Sequence, residues 1–280
     1  MTEDNLPESI ASEQMVADVQ NAAKGSFQRA KDPRTTVQLS KATIDLLRNF
    51  SNINKSILIE EGSYIQTMSV NKNIIGMGKI KEFIPCDMAI YDLPLFLGAL
   101  SLFKKPWLNF PDDKKVVIFD EETKGKTVFY YSDPEIIVTP PEFNKDLPDV
   151  ELMFDLPQSD ITQLMQAAKV YGVEDLCING YKGEYSICVR DNKNKTSNVF
   201  SLPLKKVHFF QGEQGQKDEN GNAISYKLTQ ERMTFCFCFK VENLKLQDAS
   251  YHVVISNKNI ANFNSLSHSE LNYFVAMEPK

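Results

Sequence analysis

The amino-acid sequence predicts an α+β fold of two similar halves, each with antiparallel sheets and two helices that share one side of the sheets. Three observations support this prediction. The order helix, strands, short helix, strands occurs twice along the 280 residues. The segments between the helices are short, alternating and rich in β-branched residues, as antiparallel strands joined by turns are. A chain of this length can also bury two cores of ordinary size.

The overall charge leaves the class of partner open. Hydrophobic residues make up 42% and charged residues 24% of the chain, as in a globular protein. The net charge of −6, from 31 basic and 37 acidic residues, excludes a uniformly basic nucleic-acid binder. It says nothing about where the cations gather, and a phosphate backbone responds to that distribution. The question is therefore whether lysine and arginine collect on one face.

The start of the chain predicts an appendage outside the folded halves. Residues 1–36 have no long apolar run, so we expect a flexible or weakly helical N-terminal extension without a secretory signal. No apolar stretch approaches the roughly 20 residues of a membrane-spanning helix, so we expect no membrane partner. The stretch "TPPEFNKDLPD" has the prolines and charges of a linker. The predicted boundaries are residues 37–138 for the first domain, 139–149 for the linker and 150–280 for the second domain.

The first helix, predicted over residues 40–54, has an apolar face and a cationic face. Ser40 is placed to cap its N-terminus. Lys41, Arg48 and Lys55 stand seven residues apart, which returns a helix to nearly the same angle, so the three cations line up. The predicted apolar face consists of Leu46, Leu47, Phe50 and Ile53.

The rest of the first half predicts strands around a second, very apolar helix. Strands are predicted in "SILIE", "SYIQTMSV" and "IIGMGKIKEFI", and a hairpin in "KKVVIF" and "TVFYY". The second helix follows Asp92 and ends at Lys104 and Lys105, where the helix dipole favours cations. We expect Gly98 to let other backbone approach this helix closely. The predicted buried face consists of Leu93, Phe96, Leu97 and Leu100.

The second half repeats this order with different residues. A strand in "VELMFD" precedes a helix in "SDITQLMQAAKVYG", and a second, short helix is predicted near "VENLKLQ". Between and after the helices, strands are predicted in "EDLCING", "EYSICVR", "YHVVIS" and "LNYFVAMEP". The first helix has Ile161, Leu164, Met165 and Ala168 on its predicted buried face. Its open face carries Thr162, Gln163, Gln166 and Lys169.

The sequence offers no catalytic or metal-binding constellation. The five cysteines lie in apolar surroundings without C-x-x-C spacing, so we expect reduced, buried thiols. In "MTFCFCFK", Cys236 and Cys238 share one strand face, but the sequence shows no nearby partner ligands. No pair among the three histidines has helical i, i+4 spacing, and nucleotide and hydrolase motifs are absent. We therefore expect a non-enzyme without metal or cofactor.

Several stretches resemble a known family. "QLSKATIDLLRNFSNINKSILIEEGSYIQTMSV" and "CDMAIYDLPLFLGALSLF" resemble the N-terminal domain of DNA sliding clamps of T-even-type bacteriophages, the processivity factors of their DNA polymerases. "LKLQDASYHVVISNKN" and "ELNYFVAMEP" are similar to the end of those proteins. The resemblance covers residues 37–280 and is weakest between Asp191 and Thr234. Residues 1–36 and an enlarged loop at 211–223 depart from the family pattern.

The resemblance implies a fold, an assembly and a set of partners. It implies a homotrimeric ring of six similar domains, with two helices per domain lining the hole and sheets forming the outer wall. Such a ring encircles duplex DNA and tethers the replicative DNA polymerase without catalysing a reaction. It is loaded by an ATP-driven clamp loader, and its clients include phage late-transcription factors. Its location would be the replication fork in the cytoplasm of the infected bacterial host.

Cations and amides on the open helix faces are the candidate DNA-binding residues, because they can hold phosphates without reading sequence. The competing interpretation is an ordinary solvated face, and for the doubled lysine an ordinary helix end. The candidates are Lys41, Arg48, Asn52, Lys55, Lys104, Lys105, Gln163, Gln166, Lys169, Lys240 and Lys245.

Two further sets of residues are candidates for protein contacts. The predicted subunit interface pairs Thr127, Val128, Phe129, Tyr130 and Tyr131 with Asn198, Val199 and Phe200 of the next subunit, head to tail. The predicted pocket for partner peptides, beside the linker, consists of Ile137, Val138, Phe143 and Leu147, although Phe143 could equally be linker packing. The rival function is a β-rich viral structural or assembly protein with no DNA in its ring.

Overall fold

The computed structural model describes residues 36–142, 146–194, 196–211, 227–228, 234–268 and 270–279. Except for Thr36, the predicted N-terminal extension lies outside this range. The predicted enlarged loop does too, beyond Gln211.

The described residues contain three α-helices and two turns of 3₁₀ helix. The helices are α1 (Lys41–Ile53), α2 (Leu93–Ser101) and α3 (Gln158–Tyr171), and the 3₁₀ turns are Pro134–Ile136 and Val241–Asn243. The strands of the first half are β1 (Thr36–Gln38), β2 (Ile57–Ile59), β3 (Gly62–Met68), β4 (Ile74–Ile84), β5 (Met88–Ile90), β6 (Trp107–Asp112), β7 (Lys115–Phe119) and β8 (Lys126–Tyr130). Those of the second half are β9 (Val150–Leu156), β10 (Asp175–Tyr181), β11 (Glu184–Arg190), β12 (Phe200–Pro203), β13 (His208–Gln211), β14 (Lys227–Leu228), β15 (Thr234–Lys240), β16 (Tyr251–Ser256), β17 (Ile260–Ser265) and β18 (Asn272–Ala276).

The strands form one long sheet flanked by two shorter ones. The central sheet has eight strands in the order β14-β13-β9-β16-β17-β18-β4-β3. It joins the two halves where β18 pairs antiparallel with β4, with Phe274 opposite Ile75. The four-stranded sheets have the orders β1-β6-β7-β8 and β12-β11-β10-β15, and β2 pairs with β5 alone. Strands β8 and β12 are therefore sheet edges.

Helix α1 lies on the central sheet because two glycines of β4 make room for it. A Cβ atom at Gly76 would lie 2.9 Å from the Phe50 ring, and one at Gly78 would lie 3.0 Å from a methyl group of Leu46. With hydrogen at these positions, the apolar face of α1 packs directly on the strand. One apolar cluster continues from here through both halves and includes the buried residues of α2 and α3.

The predicted α+β fold class is confirmed, with one element corrected. The expected second helix of the second half is a single 3₁₀ turn, because Leu244 leaves the helical region with φ −87° and ψ 59°. Strands β1, β5, β6 and β17 were not predicted, because β1 and β5 have only three residues each and β6 and β17 contain asparagine or proline, which are depleted in strands. Within the described residues, no helix is both long and apolar enough to cross a bilayer.

Candidate nucleic-acid interface

The N-terminus of α1 is held in place by a carboxylate from β4. The Ser40 hydroxyl accepts a hydrogen bond from the Thr43 amide at 3.3 Å, as an N-cap does. The Glu82 carboxylate accepts from the Ser40 amide and from the Thr43 hydroxyl, each at 2.6 Å. Burial raises the pKa of Glu82, but these hydrogen bonds outweigh it, and the net pKa lies below the usual value. Lys41, the first residue of α1, is thereby presented to solvent.

The open face of α1 carries the predicted cations. Lys41, Arg48 and Asn52 are exposed on this face, while the predicted apolar face is buried. Lys55 is also exposed, but α1 ends at Ile53 and Asn54 is extended (φ −142°, ψ 138°), so the predicted alignment with Lys41 and Arg48 along one helix face is wrong for Lys55. Arg48 donates to the Asp45 carboxylate at 2.8 Å, and its side chain is 57% exposed. An exposed pair of this kind is weak and exchanges readily with a phosphate.

Helix α3 presents a second polar face. Gln163, Gln166 and Lys169 are exposed, opposite the buried Leu164 and Ala168. The helix is capped by Gly172, which has a left-handed φ of 62° and whose backbone N–H donates a hydrogen bond to the Ala168 carbonyl. Lys169 lies in the last turn, where the helix dipole favours a cation.

The face of α2 differs from the prediction. No described atom lies within 4 Å of a Cβ built at Gly98, so no backbone approaches this glycine as expected. Of the expected buried face, Leu93, Phe96 and Leu100 are buried and Leu97 is half-buried, while Leu95 and Leu102 are exposed on the other side. Lys104 and Lys105 are both exposed, and the Lys105 ammonium contacts the exposed Glu122 carboxylate of the β7–β8 turn at 2.7 Å. The hydrogen bond to Glu122 raises the pKa of Lys105.

Lys240 is not available to DNA, and we remove it from the candidate set. Its ammonium contacts the Asp175 carboxylate at 2.6 Å, and the two side chains are 20% and 4% exposed. Burial raises the pKa of Asp175. Hydrogen bonds from Lys240 and the Asn192 amide lower it by more than burial raises it, so the net pKa lies below the usual value. Lys240 therefore serves as an internal counter-ion.

Lys245 brings the second half against α1. The Asn49 side-chain amide of α1 donates to the Lys245 carbonyl at 3.1 Å. The Tyr273 hydroxyl of β18 donates to the other end of the same amide at 2.7 Å. The segment after the second 3₁₀ turn thus lies beside α1, and Lys245 is partly exposed.

The helices concentrate positive charge relative to the chain. Together α1, α2 and α3 contain three bases (Lys41, Arg48 and Lys169) and two acids (Asp45 and Asp160), a net of 3 − 2 = +1 against −6 for the chain.

The predicted interface residues lie on the two sheet edges. Tyr130 on β8 is 69% exposed, and Val199, just before β12, is 54% exposed. Val128 is exposed as well, whereas Phe129 turns inward, and its ring centroid lies 5.2 Å from that of Phe96. Of the remaining predicted residues, Asn198 is exposed, and Thr127, Tyr131 and Phe200 are half-buried.

The predicted peptide pocket is only partly open. Ile137 and Leu147 are buried and Val138 is exposed, while Phe143 lies outside the described residues. Leu147 packs on the sheet face opposite α1, in a cluster separate from the main core. This outer apolar patch consists of the half-buried Ile75, Met153, Val254 and Ile260 and, beneath them, the buried Met77, Leu147, Val150 and Phe274. Apart from Leu147, which lies before β9, its members occupy outward strand positions where alternation favours polar residues, a signal that the sequence contains but that the predicted pocket did not include.

Four of the cysteines also lie together. Cys177 and Cys238 form a disulfide, so the expectation of reduced thiols is wrong for this pair. Cys188 and Cys236 are unpaired and pack beside them. The sequence could not show this, because strand pairing brings residues 61 positions apart into contact.

Comparisons with known proteins agree with this architecture. Residues 40–132 match the family described as DNA polymerase processivity factor, and residues 153–279 match that described as gp45 sliding clamp, C terminal. The sliding clamp of Vibrio phage KVP40 is 31% identical over 245 residues, which cover 86% of this chain and 99% of the relative. The sliding clamp of Enterobacteria phage T4 is 27% identical over 246 residues, covering 86% and 97%.

Solved structures show the same fold at much lower identity. The Proliferating Cellular Nuclear Antigen of Entamoeba histolytica is similar with a TM-score of 0.59 and 12% identity, covering 87% of this chain and 98% of that one. PCNA from A. fulgidus, solved with the C-terminal region of FEN-1, is similar with a TM-score of 0.59 and 10% identity, covering 88% and 98%. By sequence and by fold, the chain belongs to the phage sliding-clamp family of DNA polymerase processivity factors.

Proposed function

We propose that three copies of this chain close into a ring around duplex DNA and hold the replicative polymerase there without catalysing a reaction. The observation that carries the proposal is the pair of exposed polar faces on α1 and α3, which gather cations and amides in a chain of net charge −6. Residues 37–138 and 150–280 would form the two domains of each copy, joined by 139–149.

The lining works because it binds phosphates weakly and without base contacts. Duplex DNA carries one negative charge per about 1.7 Å of axis, so a cation that releases one phosphate finds the next nearby. Long lysine, arginine and glutamine side chains exchange phosphates without a fixed register. The ring therefore slides, and the linkage keeps a bound polymerase at high local concentration near the primer end. A closed ring cannot be threaded onto circular DNA, so it has to open, and we propose that an ATP-driven loader opens it.

The ring would form by pairing of the edge strands β8 and β12 between subunits. Strand β8 and the residue just before β12 carry exposed apolar side chains, which an isolated sheet edge rarely leaves unprotected. A head-to-tail contact of this kind gives a closed ring when the rotation is one third of a turn. Cysteines introduced at Val128 and Val199 should cross-link into a covalent trimer. Failure to trap one, with normal activity, would place the contact elsewhere.

Client proteins would dock on the outer apolar patch beside the linker. Apolar peptide segments from the polymerase, the loader or late-transcription factors match such a surface. Ile260→Glu should abolish polymerase stimulation and leave trimer mass unchanged. The control is Val70→Glu, at an apolar residue that is 74% exposed and outside the patch. Equal stimulation by both variants would contradict this location.

Charge reversal tests DNA encirclement. Lys41→Glu with Lys169→Glu should preserve the trimer and weaken retention on circular DNA, because each lost phosphate contact changes the slope of log affinity against log salt by about 0.9. The matched control is Lys81→Glu, since Lys81 is exposed on the face of β4 that points away from α1. If the double variant retains DNA like the control, the lining is not on these helices. For the rival function, a viral structural or assembly protein, no variant would alter any DNA-dependent property.

A further inference from the structure

The flat face of the second four-stranded sheet carries a cluster of cysteine sulfurs. Cys177 on β10 lies directly opposite Cys188 on β11 and opposite Cys238 on β15. Cys236 lies two residues before Cys238 and on the same face of β15, while the alternating phenylalanines point into the core. Three hydrogen-bonded strands therefore fix the backbone of all four cysteines.

Three of the sulfurs are spaced as ligands of a single ion would be. The Sγ atoms of Cys177, Cys236 and Cys238 all lie within 4.8 Å of one another. Those of Cys236 and Cys238 are 3.4 Å apart. Sulfurs bound to one tetrahedral zinc ion at about 2.3 Å lie about 3.8 Å from each other, so small side-chain rotations reach that geometry from a reduced pair. Cys236 is the half-exposed member and gives a path for entry.

A cationic side chain lies against the cysteine cluster. The Arg190 guanidinium donates through Nη2 to the Cys236 Sγ at 3.4 Å, and the Asn179 amide donates to the Cys188 Sγ at 3.2 Å. The Nε atom of Arg190 is buried and has no hydrogen-bond partner within the described part of the chain. Three thiolates and one divalent cation sum to −1, which a single guanidinium offsets. The arginine is thus placed to donate a hydrogen bond to a metal-bound thiolate without being a ligand itself.

We propose that Cys177, Cys236 and Cys238, when reduced, bind one thiophilic cation of the Zn²⁺ type, and that Arg190 stabilises the complex. Zn²⁺ accepts thiolate ligands and tolerates a water molecule as the fourth. The site excludes the Cys177–Cys238 disulfide, because the ion needs both sulfurs as thiolates. The cysteines form a cluster separate from the one in which α3 packs on Ile178 and Ile187 of the same strands, so the metal site lies on the opposite sheet face and is independent of the proposed DNA lining.

The experiment uses the full chain, reduced with a phosphine. The phosphine takes oxygen from water to become its oxide, and the two hydrogens of that water complete the two thiols. Titration with Co²⁺, a spectroscopic substitute for Zn²⁺, should give sulfur-to-cobalt charge-transfer absorption that saturates at one ion per chain. Added Zn²⁺ should then displace the cobalt. Cys236→Ser should abolish this saturating absorption, and Arg190→Gln should weaken binding about tenfold to a hundredfold.

A matched control keeps the interpretation clear. Cys86→Ala removes a buried thiol of the first half and should leave the titration unchanged. Circular dichroism of each variant shows whether the fold is retained, and Arg190→Gln, which removes no sulfur, provides the second test if Cys236→Ser unfolds. The proposal is overturned if the reduced chain takes up no stoichiometric metal, if the disulfide resists reduction in the folded chain, or if Cys236→Ser binds as the unaltered chain does.

Discussion

The sequence predicted that Lys240 binds DNA, whereas in the structure it forms a buried ion pair with Asp175. A substitution of Lys240 distinguishes these two roles. The change is Lys240→Met, which keeps the length of the side chain and removes its charge. It leaves the Asp175 carboxylate, only 4% exposed, with the Asn192 amide as its remaining close partner. The change should therefore destabilise the fold and leave the DNA lining untouched.

The size of the effect follows from burial. Removing one partner of a buried ion pair costs about 3–5 kcal/mol. The Lys240 side chain is 20% exposed, so water can partly replace it, and we expect the lower end, about 3 kcal/mol. A loss of that size lowers Tm by roughly 6–12 °C in a domain of 150–250 residues. Asp175→Asn with Lys240→Met should recover part of the loss, because it leaves no unpaired buried charge.

The pair also predicts a pH dependence. Because the pKa of Asp175 is lower in the folded chain than its ordinary value, the stabilisation is present at neutral pH. It is lost as pH falls below about 4 and through the folded pKa, so the difference between Lys240→Met and the unaltered chain should shrink there.

The assay is thermal unfolding followed by circular dichroism, together with retention on circular DNA. The control is Lys169→Met, at an exposed residue of α3, which should leave Tm unchanged and weaken retention. If Lys240→Met keeps its Tm but weakens retention as the control does, the lysine faces DNA and the reassignment is wrong.

Three other predictions concern packing, capping and assembly. Gly76→Ala places a methyl group 2.9 Å from the Phe50 ring and should cost about 1–3 kcal/mol in chemical denaturation; an unchanged midpoint would mean that α1 does not rest on β4. Glu82→Gln weakens two hydrogen bonds at the start of α1 and should cost about 1–2 kcal/mol near pH 7, with the difference fading as pH falls through the lowered pKa of Glu82. Val128→Glu charges an exposed edge position and should shift the mass measured by light scattering from trimer to monomer, with the circular-dichroism spectrum of the folded chain retained; a persistent trimer would contradict assembly through β8.

Helical periodicity was the most informative signal in the sequence. The apolar and polar faces of α1 and α3 are where spacing predicted them, because each helix packs on only one side. The same reasoning gave Ser40 as the cap of α1, since capping is local. Local signals of this kind need no knowledge of the tertiary structure.

Residues whose role depends on distant neighbours were not predictable in this way. Lys240 looks like any cation at the end of a strand until strand pairing places it beside Asp175. For the same reason the sequence does not show that Lys105, after α2, forms an ion pair with Glu122. Cys177 and Cys238 come together only through the register of β10 and β15. In each case the deciding contact spans a long stretch of sequence.

The pairing of β18 with β4 has a consequence for how the chain matures during synthesis. On one side of β4, residues 74–77 have residues 272–275 of β18 as their partners, so nearly two hundred residues are translated between the two strands. Until then the emerging N-terminal half presents an unfinished edge with apolar side chains, which invites association between nascent chains. The ribosome must therefore release almost the entire polypeptide before either half has its complete set of neighbours.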